Sequence, residues 1–318
     1  MDFLVQVVHL YYQRNMTQDE IAKRLGVSKM TVSRALKTAE TQKLVEIKIN
    51  LPIMNHQELE KRLIQRLNLN EVFVTCPPVL QTKADRLKGE LLLDFIGKST
   101  ALFIDHLLQD SITIGIAQGK TIGYIARNLS AKKLNNAKVV QILGGLNTSS
   151  SYNPYDLLQL VSSKLGAEGT YMSGQAFVIN EMAQKVIMAE NLHSGIGNLW
   201  AKCDFCLAAL GSCSNNGAYV TSGLLNDDDL QEVVQRGAVG DIVGHFYNQD
   251  GNFVTSILHK RVNSIPIEDL RKVKQIIVTA SGSEKIKPII GAARTGLPIT
   301  LITDQHTAEG ILEELGGK

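Results

Sequence analysis

A chain of 318 residues is longer than one small hydrophobic core organises and suits two domains, one large and one small. Hydrophobic residues make up 44% and charged residues 20%, ordinary proportions for a globular protein. A net charge of only +2 excludes a general nucleic-acid glue, so any DNA contact must come from a local basic surface. Residues 1–50 hold eight Lys and Arg against five Asp and Glu, a mild local excess. No run approaches the ~18 consecutive apolar residues of a membrane span. The first fifteen residues, MDFLVQVVHLYYQRN, lack the features of a signal peptide. Four cysteines are too few and too clustered for a secreted disulfide framework, and a cytoplasmic protein is expected.

In chain order, Leu4, Val7, Val8, Tyr11 and Tyr12 recur at helical spacing and predict one apolar helix face. Thr17-Gln-Asp-Glu20 has the form of a capping box. The helix it starts carries Ile21, Ala22 and Leu25 inward and stops at Gly26, a left-handed cap. Ser28 caps a third helix with Val32, Ala35, Leu36 and Ala39 on its inner face. Residues 44–49 then alternate as a short strand, consistent with a wing. Pro52 breaks the chain. Residues 55–67 resume helical spacing through Leu59, Leu63, Ile64 and Leu67, with Asn55-His-Gln-Glu58 as a second capping box. That apolar stripe serves either packing on the next domain or dimerisation, and the pattern leaves both open.

From residue 71 the pattern becomes strand, glycine-containing turn, helix. Strands are predicted at 71–75, 111–116, 138–143, 205–210, 275–279 and 298–303, with a last helix at 307–315. Such alternation implies a mainly parallel, doubly wound sheet, whose ligands bind beyond the carboxyl ends of the strands. Three turns there could cradle an anion: Gln118-Gly-Lys-Thr121, Gly144-Gly145 with its following hydroxyls, and Ser281-Gly-Ser-Glu-Lys285. Lys285 would serve as counterion in the third. The GxxxxGK[ST] phosphate loop is absent, which argues against nucleotide hydrolysis. The Cys203–Cys206 spacing, with Cys213 seven residues on, invites a metal site, but no second CxxC pair or nearby His completes four ligands. Buried, metal-free thiols are the expectation, and no cofactor is implied.

Two short helices around Gly26, after a first amphipathic helix, form a helix-turn-helix pattern. Lys29, Met30, Ser33, Arg34 and Lys37 project from the outer face of the third helix, where hydroxyls and cations suit phosphates and base edges. The string from Leu25 to Arg34 resembles the recognition helices of bacterial repressors. Carried over by position, Lys29, Met30 and Arg34 would face base edges. Thr17, Gln18, Thr31 and Ser33 would touch phosphates, with Ser28 beside them at the helix start.

Beyond this segment, the order of motifs resembles the SorC family of bacterial sugar-operon regulators. These are GIAQGKT (Gly115–Thr121), Gly144-Gly145, GAVGDI (Gly237–Ile242), FYNQDG (Phe246–Gly251), Gly282-x-x-Lys285 and LITD (Leu301–Asp304). The resemblance implies a winged helix-turn-helix joined to an α/β effector domain akin to sugar-phosphate isomerases and deaminases. It also implies phosphorylated sugar effectors and a homotetramer. By position, effector contacts would fall on Gly119, Thr121, Gly144, Gly145, Asn147, Thr148, Asp241 and Lys285. For Asp241, a cap within GAVGDI is the competing role. Two positions depart from the pattern. Leu143 stands where some members carry an imine-forming lysine, so covalent capture there is not expected. Met172-Ser-Gly-Gln-Ala176 replaces a Leu-Pro-Ala-Pro-Ala turn, which offers Gln175 as a polar contact.

The expected organisation is a DNA-binding domain over residues 1–51, a connecting helix over 52–70 and an effector domain over 71–318. The expected function is a non-enzymatic transcription regulator of a carbohydrate operon, as repressor or as activator, with double-stranded operator DNA and a sugar phosphate as partners. The rival is an isomerase or deaminase fused to a DNA-binding module. That rival needs a positioned acid–base pair, for which Asp241 with His245, or His106, are the candidates.

Overall fold

The computed structural model describes residues 3–42, 44–45, 54–76, 89–146, 152–214 and 217–316. The chain divides into two compact units, Met1–Leu51 and Pro52–Lys318.

In the smaller unit, helix α1 (Phe3–Val8) runs into one widened π turn, His9–Gln13, before α2 (Gln18–Leu25) and α3 (Lys29–Thr41). The π turn alters the predicted face. An extra residue per turn rotates the helix, so Leu10 is buried while Val8 is only half-buried. Val7, Leu10, Ile21, Val32 and Leu36 form the small core. Thr17 accepts the Glu20 amide and Glu20 reaches back to the Thr17 amide at 2.8 Å, closing the predicted capping box. Gly26 takes φ +66° at the end of α2, a conformation that a side chain would disfavour. Ser28 then caps α3 by accepting from Thr31. The wing predicted over residues 44–49 falls largely outside the described residues.

In the larger unit, β1 (Met54–Asn55) precedes α4 (Gln57–Leu67), β2 (Glu71–Cys76), α5 (Gly89–Leu107), β3 (Thr113–Ile116), α6 (Lys120–Asn128) and β4 (Lys138–Gln141). Then follow α7 (Pro154–Leu165), β5 (Glu168–Thr170), α8 (Glu181–His193), α9 (Ile196–Trp200), β6 (Phe205–Ala208) and β7 (Leu210–Ser212). Helices α10 (Ala218–Thr221) and α11 (Asp227–Gln235) lead to the hairpin β8 (Ala238–Ile242) and β9 (His245–Asn248). The chain closes with α12 (Ile267–Leu270), β10 (Ile276–Thr279), α13 (Ile286–Ala293), β11 (Ile299–Asp304) and α14 (Gln305–Glu314).

The main sheet has the order β1-β2-β11-β10-β6-β3-β4-β5, with every neighbouring pair parallel except β1 with β2. Alternate side chains feed two cores. Val72, Val140, Cys206, Val278 and Leu301 pack with α4, α9, α13 and α14 on one face. Val139, Phe205, Leu207, Ile277 and Ile302 pack with α5, α6 and α7 on the other. This is the doubly wound arrangement. Residues 55–67 differ from the reading above in their cap. Asn55 is paired with Thr75 in β1, so His56 instead accepts the Leu59 amide at 3.4 Å. Leu59, Leu63 and Leu67 are buried in the sheet core, which commits the α4 stripe to packing within the unit. At Gly115 in β3 an added Cβ would lie 2.4 Å from Cys206 Sγ on the next strand, so this glycine is set by close packing.

The strand order reverses between β3 and β6. After β3 the chain builds outward through β4 and β5, then returns to the other side of β3 for β6, β10 and β11. Beyond that switch point the loops of adjacent strands part and leave a crevice. Strand β6 leaves the sheet directly into β7, the edge of a three-stranded antiparallel sheet β7-β8-β9. That second sheet was not predicted, because the glycines of GAVGDI obscure strand alternation.

Candidate effector site and DNA-reading helix

A cavity of about 930 Å³ lies at the switch point, walled by the loops after β3, β6 and β10. Gly119 opens α6 at φ +130° and Gly282 opens the turn before α13 at φ +106°, conformations that L side chains rarely adopt. No side chain caps either helix start among the described residues, so backbone N–H groups and two helix dipoles remain for an anion. Lys285 lines the same space and donates to the Leu210 carbonyl at 2.7 Å. Burial pulls its pKa below the usual lysine range, against the opposing pull of the Asp241 and Glu284 carboxylates.

Asp241 reaches this wall through the second sheet. In β8 it pairs with Gly211 of β7, and its Oδ1 would lie 1.7 Å from any Cβ at Gly211. Its Oδ2 accepts from the Tyr219 hydroxyl and from the Gly244 amide, each at 3.0 Å. Asp241 is therefore a strand residue that also caps the β8–β9 turn, while lining the cavity. Burial raises its pKa, countered by those two hydrogen bonds and by Lys285. The turn itself is unusual. Val243 adopts φ +46° and Gly244 φ +82°, both positive as tight hairpins require, but a β-branched residue is a poor occupant there. Val243 nevertheless packs into the core and forms part of the cavity wall.

Of the predicted effector residues, the cavity brings together Gly119, Thr121, Asp241 and Lys285. Gly144, Gly145 and Gln175 lie against one another instead. Gly145 bridges Gln175, and a Cβ at Gly144 would sit 2.6 Å from the Gln175 backbone. The double glycine thus permits a close backbone crossing, and the Gln175 side chain is exposed. Asn147 and Thr148 lie outside the described residues. Sequence reasoning did not single out Tyr219 or the Gln118 side chain. The one available signal for Gln118 was a polar residue immediately before a helix-opening glycine. Of the acid–base candidates, His245 faces Ile265 and Ser264, and no hydrogen bond joins it to Asp241 among the described residues. His106 is on the surface of α5, bonded to the Leu102 carbonyl. Cys203 and Cys206 are both buried, and contact with Cys203 together with burial holds the Cys206 thiol protonated.

In the smaller unit, Ser28, Lys29, Met30, Thr31, Ser33 and Arg34 are exposed along the start of α3. Met30 is 63% exposed, and Arg34 Nη2 rests 3.5 Å from its sulfur, one turn away. Lys29 pairs with Asp19 of α2 at 2.8 Å. Thr17 is exposed and Gln18 half-buried at the start of α2. Short polar groups, two cations and one flexible apolar tip make a surface suited to groove edges and phosphates.

These two units define a DNA-binding module coupled to a small-molecule-binding α/β domain. A family described as "Putative sugar-binding domain" matches residues 52–313, and one described as "Sigma-70, region 4" matches residues 5–42. The sorbitol operon regulator of Klebsiella pneumoniae is 28% identical over 313 residues, which cover 98% of this chain and 97% of that protein. Its full-length crystal structure superposes with a TM-score of 0.71, covering 98% of this chain and 99% of that one. The deoxyribonucleoside regulator of Bacillus subtilis is 25% identical over 98% of this chain and 97% of its own length. The chain belongs to the SorC family of sugar-binding transcription regulators.

Proposed function

We propose that the switch-point cavity takes a phosphorylated sugar and that its occupancy sets the affinity of the helix-turn-helix for a carbohydrate-operon operator. The observation that carries this reading is the convergence of two uncapped, glycine-opened helix starts and the Lys285 ammonium on one cavity. Gly119, Thr121 and Lys285 would meet the phosphate, and Asp241 the sugar. The names of the relatives, which refer to sorbitol and deoxyribonucleosides, support the carbohydrate class. Titrating the protein with a panel of sugar phosphates while following its operator complex tests the proposal. Effector-dependent change in operator affinity is the expected result, and no response to any member rejects it. The family resemblance further supports a cytoplasmic repressor acting as a homotetramer.

On the DNA side, Thr17, Gln18, Ser28, Thr31 and Ser33 are read as phosphate contacts, and Lys29, Met30 and Arg34 as base contacts. Arg34→Ala should weaken operator binding by about 1–3 kcal/mol and affect a scrambled duplex less. Gel-shift titrations on both duplexes decide this, and equal losses would make Arg34 a phosphate contact.

The protein is proposed to bind its sugar without transforming it. An isomerase or deaminase needs a positioned acid–base pair, and although Asp241 lines the cavity, His245 is turned to backbone and Ser264 instead. No isomerised or deaminated product should accumulate from any sugar phosphate that binds. Multiple-turnover product that disappears in Asp241→Asn would establish catalysis.

A further inference from the structure

Gln118 stands between β3 and the glycine that opens α6, lines the cavity, and is only 6% exposed. Its amide lies beside the Tyr219 hydroxyl and favours the ionised phenol, as a donor facing that oxygen does. The Tyr219 hydroxyl gives its single proton to Asp241 Oδ2 at 3.0 Å, so toward Gln118 it can only accept. The amide end facing Tyr219 is therefore Nε2. Gln118 Oε1 is left buried with no hydrogen-bond partner among the described residues. Beside the Tyr219–Asp241 hydrogen bond, Gln118 thus presents an unanswered acceptor at the cavity wall. Protein interiors seldom leave such a group, because a desolvated acceptor without a donor is costly.

We propose that Gln118 Oε1 accepts a hydrogen bond from a hydroxyl of the bound sugar, making Gln118 a specificity-determining residue of the cavity. The proposal rests on the sugar-binding reading of the cavity and adds a sign to it. At this point the ligand must present a donor, so a carbonyl oxygen or a second anionic group is rejected. A site that hydrogen-bonds a hydroxyl discriminates against analogues lacking it far more strongly than an apolar wall does. The phosphate and the hydroxyl would be met by different groups, the first by Lys285 and the helix starts, the second by Gln118.

The test compares the parent with Gln118→Met, which keeps length and removes both amide ends. Calorimetric titrations use D-glucose 6-phosphate, D-fructose 6-phosphate, D-ribose 5-phosphate, the three free sugars and inorganic phosphate, beside thermal melts of both proteins. The variant should bind the tightest sugar probe at least about tenfold more weakly. Inorganic phosphate, assigned to Lys285 and the helix starts, should bind within about twofold of the parent. The variant should melt no lower than the parent, because methionine removes an unpaired buried oxygen. Unchanged sugar affinity overturns the proposal. So does an equal loss for every probe with a lowered melt, which makes Gln118 a packing residue. If the parent binds free sugars but no phosphates, and the variant loses them, the phosphate reading fails and the Gln118 assignment stands. A parent that binds none of the probes overturns both.

Discussion

Replacing Lys285 by methionine should leave operator affinity intact and remove the response to effector. The Lys285 ammonium is partly buried and donates to the Leu210 carbonyl at 2.7 Å. Desolvation already pulls its pKa down, so a phosphate beside it would relieve an ammonium that water no longer solvates well. Truncating one member of such a desolvated charge pair costs about 2–5 kcal/mol, which is roughly thirtyfold to several thousandfold in effector affinity. Methionine keeps the stem that packs at the helix start. The recognition helix has its own core of Val7, Ile21, Val32 and Leu36, so DNA binding without effector should persist. An effector shifts DNA affinity only through its differential affinity for two conformations, and that difference is lost with binding. Calorimetry with the sugar phosphate beside gel shifts at matched salt reads both halves. A variant that binds ligand and responds as the parent does would make Lys285 a surface residue of the helix start.

Acidification should destabilise the larger unit well above the carboxylate range, through His245. Its Nε2 lies 2.9 Å from the Ile265 carbonyl, which can only accept, so the ring hydrogen sits on Nε2. Its Nδ1 is buried with no hydrogen-bond partner among the described residues. Protonation there would bury a charge and an unsatisfied donor together. Burial accordingly pushes the His245 pKa from 6.5 down to about 4, with the nearby His259 adding to the shift and the Ile265 carbonyl opposing it. Between these values the unfolded chain holds more protons than the folded one, so stability falls as pH falls. The His245 contribution is complete above pH 6.5 and is lost progressively toward pH 4. The integrated loss at pH 4 is about 3 kcal/mol. Urea unfolding from pH 7 to pH 4 should show this loss in the parent. In His245→Gln, whose amide can still donate to Ile265, the slope above pH 4.5 should flatten. Equal slopes in both proteins would place the acid sensitivity elsewhere.

Local chemistry was legible in the sequence where contacts are local. The Thr17–Glu20 box, the Gly26 cap, the inner face of α3 and the parallel strands follow from spacing alone. What failed depends on groups distant along the chain or on geometry that composition hides. The π turn at His9–Gln13 adds a residue to one turn, which the spacing of the apolar side chains does not announce. Asn55 looks like a cap until its pairing with Thr75 is known. The double glycine at 144–145 reads as a ligand cradle, yet the Gln175 backbone lies where a Gly144 side chain would be and the Tyr155 ring where a Gly145 side chain would be. Tyr219 reaches Asp241 across 22 residues, and Gln118 comes to lie beside Tyr219 across a still longer stretch of chain. No window on the sequence contains that grouping.

The β8–β9 turn carries a design conflict. Valine at φ +46° costs on the order of 1–3 kcal/mol, which Asn or Gly at that position would largely recover. The same side chain gives the cavity an apolar wall above Asp241, which neither of those residues can supply. Optimising the hairpin for thermal robustness would therefore erode the shape of the binding chamber. Val243 marks a point where fitness for the ligand and comfort of the backbone pull in opposite directions.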